Sequence, residues 1–168
     1  TTPIQLCLMT AQIANGGYKI YPKIVLNNDK KYEDKFVPLY KKSKNIKIIQ
    51  DAMFSSTNEI RGTSYSSRID DLKYQFAGKT GTAQVKRITE KDRELDLKTF
   101  EIPYEDRDHA LYVAFGPFIN PRYALSIVIE HGGSGGTVAA PLANRLFKVI
   151  IDRHELRKNY ENKRYLDI

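Results

Sequence analysis

The chain has 168 residues, 41% hydrophobic and 28% charged, a globular rather than disordered composition, and its length suits one domain with its own core. Lys+Arg 27 against Asp+Glu 20 give a formal net charge of +7, which raises the possibility of an anionic partner. The single cysteine, Cys7, excludes an intrachain disulfide framework and a Cys-rich zinc site, and no apolar run approaches the roughly 18 residues of a membrane helix.

The chain opens Thr1-Thr2-Pro3, without an initiator Met or a signal peptide, and so reads as a processed or cut piece of something longer. Residues 2–15 are predicted to form a helix. Thr2 can cap it, Pro3 suits the first helical position, and Gln5 completes a capping box. Ile4, Cys7, Leu8, Ala11 and Ala14 share one face, and Asn15-Gly16-Gly17 supplies residues that tolerate a left-handed stop. Tyr18 to Pro22 alternates and reads as extended. Residues 23–44 are polar, with Asn27-Asn28-Asp29 a candidate hairpin turn.

A second helix is expected over Ile46–Phe54, followed by a loop from Ser55 to Asp71 rich in Ser, Thr, Asn and Gly. Gly78 to Val85 reads as a strand. Residues 86–108 are almost all polar and read as a long, mobile surface loop, of a length that is usually functional or disordered. His109–Phe115 alternates with Leu111, Val113 and Phe115 on one face. Tyr123–Glu130 alternates with Tyr123, Leu125, Ile127 and Ile129 together. Gly116-Pro117-Phe118-Ile119-Asn120-Pro121 joins the two as an antiparallel hairpin. The run His131 to Gly136 reads as a strand-to-helix turn needing positive φ. A final helix is expected from Val138 to Arg153, with Pro141 in its first turn, and residues 154–168 as a charged tail that frays. Hairpin strands with helices at both ends imply an α+β fold.

The positive charge does not point to nucleic acid. Lys41–Lys47 is short, and the basic residues from Arg153 to Arg164 are interleaved with Glu155 and Glu161. Neither stretch alternates with aromatics as a single-strand groove does, so the bland reading is a solvated basic surface. His109, His131 and His154 are scattered, so no metal and no cofactor is expected. The glycines at 132–136 lack the Lys of a phosphate-binding loop.

Lys79-Thr80-Gly81-Thr82 is the sharpest chemical feature. An ammonium, two hydroxyls and a glycine at the start of a strand make a carboxylate-binding edge that a peptide backbone can approach. A lone Lys-Thr-Gly is weak, but its surroundings are specific. Thr2-Pro3-Ile4-Gln5-Leu6, Ala14-Asn15-Gly16-Gly17 and Phe76-Ala77-Gly78-Lys79-Thr80-Gly81-Thr82-Ala83-Gln84 come first. Asp108 to Pro117, Asn120 to Ala124 and Glu130 to Pro141 follow in the same order. Together they resemble the class B penicillin-binding proteins, the peptidoglycan D,D-transpeptidases, and most of all the elongation-type penicillin-binding protein 2.

The resemblance implies a five-stranded antiparallel sheet with helices on both faces, of which this chain supplies the last three strands. It places residues 1–153 in the C-terminal part of a transpeptidase domain. It implies Lys79 as an electrostatic and proton-network group, Thr80, Gly81 and Thr82 as binders of substrate or antibiotic, and the Thr82 N–H as an oxyanion donor. It implies D-Ala-D-Ala stem peptides and β-lactams as ligands, a SEDS-family glycan polymerase and the elongation machinery as partners, and a periplasmic domain anchored in the bacterial inner membrane. Simple alternation puts Lys79 and Thr80 on opposite faces, which strand twist or an edge position has to reconcile.

The chain also departs from the family pattern. No serine has lysine three residues on, so the Ser-x-x-Lys nucleophile is missing from these residues. Ser56-Thr57-Asn58 spells Ser-x-Asn, but it follows the Thr-Pro-Ile-Gln-Leu helix, whereas the family's motif precedes it; it is read as a coincidence. The chain is therefore expected to be inactive alone and to dimerise through the strand edge left open by the missing first strand. The competing readings are a non-catalytic peptidoglycan or β-lactam sensing module of the same fold and, more remotely, a basic nucleic-acid-binding domain.

Overall fold

The computed structural model describes residues 1–24, 37–40, 43–87 and 97–166. The candidate turn at Asn27-Asn28-Asp29 lies outside them, as do residues 88–96 of the long connection. Helix α1 (Pro3–Ala14) starts with the capping box: the Thr2 N–H donates to Gln5 Oε1 at 2.8 Å, and the Gln5 N–H to Thr2 Oγ1 at 3.4 Å. Its stop takes the expected left-handed conformation at the two glycines. Asn15 is not left-handed; its carboxamide oxygen instead accepts the N–H groups of Gly17 and Tyr18, while Gly16 and Gly17 take positive φ of 90° and 91°. The predicted apolar face is shifted: Ile4 is exposed and Thr10 is wholly buried. Thr10 tolerates burial because its hydroxyl donates to the Leu6 carbonyl at 2.8 Å. The Tyr18–Pro22 stretch is extended near its start, with Tyr18 bridging Pro38.

Helix α2 runs over Ser43–Asn58, four residues beyond the expected end. Ser, Thr and Asn favour loops because their side chains compete for backbone groups. Here that competition is satisfied within the helix: Thr57 Oγ1 donates to the Met53 carbonyl and Asn58 Nδ2 to the Phe54 carbonyl. A short 3-10 turn follows at Tyr65–Ser67.

Strands β1 (Ala77–Ala83), β2 (His109–Gly116) and β3 (Tyr123–Ile129) form an antiparallel sheet in the order β1-β2-β3. Among the described residues, β1 and β3 each have one strand neighbour. The register pairs Val113 with Ser126 and Tyr112 with Ile127. The two alternating apolar stripes therefore face opposite layers. Leu125 and Ile127 join Tyr112, Ala114, Phe76, Ala143 and Phe147 on one side; Phe115 and Val113 join Ala77, Met53, Ile13 and Phe54 on the other. The fully buried side of β2 is Ala110, Tyr112 and Ala114, small residues around one large ring, as a central strand covered on both faces allows.

The segment after β3 enters a π-type turn at Gly135–Ala139, and helix α3 occupies Ala140–Leu166, well past the expected end at Arg153. Of the stretch read as a fraying tail, the described residues 154–166 continue the helix. Lys73, just before β1, explains the first turn of the extension: it bridges Asp152 at 3.0 Å and Glu155 at 2.8 Å, and the Tyr74 hydroxyl donates to Asp152 at 2.6 Å. Tyr74 first and Lys73 second hold the Asp152 carboxyl below its usual range. The described part of the polar connection is turn-rich, with a 3-10 turn at Tyr104–Asp106 held to Lys86 by an Asp106 ion pair of 2.7 Å.

Candidate active-site edge

Strand β1 brings Lys79, Thr80, Gly81 and Thr82 to an edge of the sheet. Lys79 and Thr80 alternate as a strand requires, opposite Val113 and Tyr112. The long Lys79 stem resolves the conflict between faces: its ammonium folds back to donate to the Thr80 carbonyl at 2.9 Å and approaches Thr80 Oγ1 at 3.4 Å. A charge from one face thus reaches a hydroxyl on the other. Lys79 and Thr82 are exposed, while Thr80 and Gly81 are half-buried.

Two close approaches fix this edge. A Cβ on Gly78 would strike the phenol of Tyr112, so glycine lets that ring lie directly beneath the strand. A Cβ on Gly135 would strike the carbonyl oxygens of Leu111 and Gly81, so the glycine turn lies flush against β1 and β2. The run 132–136 serves mainly for this contact. Among its glycines, Gly133 alone has positive φ, 79°, and the other left-handed residue of the turn is His131 at 55°. The His131 N–H donates to His109 Nδ1 at 3.0 Å, tying the turn to the start of β2.

Behind β1 lies a group of hydroxyls. Tyr112 OH is 2.9 Å from Thr57 Oγ1 and 3.0 Å from Ser64 Oγ, and all three residues are buried. Burial pushes the Tyr112 phenol above its usual value, while the bonds from Ser64 and Thr57 act the other way. A second set reaches the surface: Ser56 Oγ lies 3.3 Å from Thr63 Oγ1, which lies 3.1 Å from Thr80 Oγ1. Asn58 Nδ2 donates to the Phe76 carbonyl at 2.9 Å and pins the end of α2 to the entry of β1. The Ser56-Thr57-Asn58 triplet therefore meets the Lys-Thr-Gly strand. Sequence reasoning missed Thr63, Ser64 and Tyr112; the only signal was the density of hydroxyl residues between 55 and 67. Among the described residues, no three His, Cys, Asp or Glu side chains are grouped to hold a metal.

A family model described as the penicillin binding protein transpeptidase domain matches residues 1–148. The chain belongs to this family. Peptidoglycan D,D-transpeptidase MrdA of Salmonella typhimurium is 32% identical over 162 residues, covering 90% of this chain and 25% of that protein. Peptidoglycan D,D-transpeptidase FtsI of Buchnera aphidicola is 28% identical, covering 98% of this chain and 26% of its own length. The chain thus spans about a quarter of the curated relatives it matches. Pseudomonas aeruginosa PBP2, solved in complex with WCK 5153, superposes with a TM-score of 0.67 at 31% identity, over 89% of this chain and 30% of that one. Helicobacter pylori PBP2, solved as a complex with MreC, gives 0.66 at 28% identity, over 89% and 25%. The α+β architecture is that of these transpeptidase domains, and the three strands of this chain form part of one. The PBP2 type is the one its MrdA and PBP2 relatives share.

Proposed function

We propose that this transpeptidase segment is the carboxylate- and acyl-binding edge of a PBP2-like peptidoglycan D,D-transpeptidase, acting on stem peptides ending in D-Ala-D-Ala and acylated by β-lactams. The carrying observation is the Lys79 ammonium folded onto Thr80. It concentrates positive charge at a hydroxyl on an approachable strand edge, where a terminal carboxylate finds both a cation and a donor. In this reading Lys79 also serves the proton network and Thr82 contributes a second hydroxyl. Thr80 and Thr82 are two residues apart, so their backbone N–H groups point to the same side of β1, which suits Thr82 N–H as an oxyanion donor. Gly81 lets the peptide lie against the strand.

A serine nucleophile has to come from residues outside these 168, because no serine here precedes a lysine by three. The Ser-Lys pair would form and resolve the acyl-enzyme, and the segment alone is inactive. No described helix is long and apolar enough to cross a membrane; the periplasmic, membrane-anchored setting and the elongation-machinery and SEDS-family polymerase partners belong to the proposal for the longer protein. The H. pylori relative's complex with MreC supports a partner of that kind.

The test is covalent labelling by a fluorescent penicillin. The gene product expressed from its own start codon is expected to label and to keep the label through denaturation. The 168-residue chain is expected not to label. An unlabelled full gene product would overturn the enzymatic reading and leave the sensing module, and stoichiometric labelling of the short chain would overturn the assignment of the nucleophile to other residues.

A further inference from the structure

We infer that Thr63 is a positioning residue that fixes the direction of the Thr80 hydroxyl, so that its proton points outward to a ligand carboxylate; this rests on the carboxylate reading of Thr80. A hydroxyl has one proton and two lone pairs, whereas a carboxylate can only accept. When Thr80 donates to a carboxylate, its oxygen can only accept from within the protein. Two groups stand ready: Lys79 Nζ at 3.4 Å and Thr63 Oγ1 at 3.1 Å. When Thr63 donates toward Thr80, its own oxygen is left free to accept, and Ser56 Oγ lies 3.3 Å away to supply a proton. The three hydroxyls then run in one sense, Ser56 to Thr63 to Thr80 to ligand. Each bond polarises the next, with the Lys79 charge adding at the last oxygen.

Thr63 is exposed, but its backbone is held from two sides. The following residue, Ser64, donates its N–H to the Ser56 carbonyl at 3.1 Å and sets its hydroxyl 3.0 Å from the same oxygen. On the other flank, Gly136 approaches the Thr63 carbonyl so closely that a Cβ there would sit 2.5 Å from it. The end of α2 and the glycine turn thus clamp Thr63 between them. An Oγ1 placed on such a platform can select one rotamer of Thr80, which an isolated surface threonine could not do.

The experiment measures acylation of the full gene product by a penicillin and by the methyl ester of the same penicillin, which lacks the carboxylate charge. Thr63→Val keeps the shape and removes the hydroxyl; Thr63→Ser keeps the hydroxyl. Thr63→Val is expected to lower the acid-to-ester rate ratio about tenfold, mostly through the acid, and Thr63→Ser to hold it within about twofold of wild type. A structural role would slow both compounds together and leave the ratio unchanged, which overturns the inference alone. A wild-type protein that reacts equally with acid and ester overturns the carboxylate reading, and the inference with it.

Discussion

The two edges of the sheet are built from different chemistry. β1 is Ala-Gly-Lys-Thr-Gly-Thr-Ala: small residues, one cation and two hydroxyls, with a second rank of hydroxyls from α2 and the 62–64 turn behind it. β3 is Tyr-Ala-Leu-Ser-Ile-Val-Ile, half-buried along most of its length. The Cys7 thiol of α1 lies 3.4 Å from the Ala124 carbonyl, and burial raises that thiol's pKa. One edge presents donors that a ligand can use, and the other presents apolar side chains that packing can use. A shared strand order does not make two edges equivalent, and the glycines of β1 and of the turn behind it are what allow the dense polar arrangement.

The broadest change should spare neither edge. Phe147 of α3 stacks on Phe76 at 4.9 Å between ring centroids and is fully buried. Phe147→Ala is expected to cost about 3–5 kcal/mol, read by chemical denaturation; a loss under about 1 kcal/mol would remove this core from the account. Gly135→Ala should break the comparison selectively. Its Cβ meets the Leu111 and Gly81 carbonyls, so a cost of about 1–3 kcal/mol is expected, with hydrogen exchange rising in β1 and the turn after β3. Equal loss of protection in both strands would contradict an edge-specific role.

Tyr112→Phe sharpens the contrast by removing one phenol beneath β1, at about 1 kcal/mol. The pH dependence carries a sign. Burial raises the folded Tyr112 pKa, so its protonation favours the folded state. That contribution is complete below the unfolded tyrosine value of about 10 and is lost as pH rises through the higher folded value. The variant should therefore lose less stability than wild type above pH ~10; parallel curves would refute the assignment. The remaining prediction concerns β3. The 168-residue chain is expected to self-associate through this edge, and Val128→Lys, at its most exposed position, to weaken that association about tenfold. A monomer at high concentration in sedimentation velocity would rule it out.

The sequence carried the parts of the fold whose signals are local. The Thr2–Gln5 box, the 109–129 hairpin and the Lys-Thr-Gly strand follow from residues close together in the chain. The end of α2 was hidden because Ser55, Ser56, Thr57 and Asn58 are loop-formers, and the bonds of Thr57 and Asn58 to carbonyls one turn back do not show in composition. The start of the α3 extension was hidden for a different reason: the clamp on it is Lys73, some eighty residues earlier in the chain. The opposite facing of the two hairpin stripes depends on register, which alternation alone leaves open. At the candidate site, the strand itself was legible. The hydroxyls of Ser56, Thr63, Ser64 and Tyr112 meet only once β2 pairs with β1 and α2 reaches its full length.

The central claim is that the β1 edge, led by Lys79, recognises the anionic end of a substrate or β-lactam. Its most direct measurement is the second-order rate of penicillin acylation of the full gene product, wild type against Lys79→Ala. The account expects a fall of about 100-fold or more, the scale seen when a single preorganised electrostatic group is removed from an acyl-transfer site. A Lys79→Ala protein acylated within about twofold of wild type would contradict it.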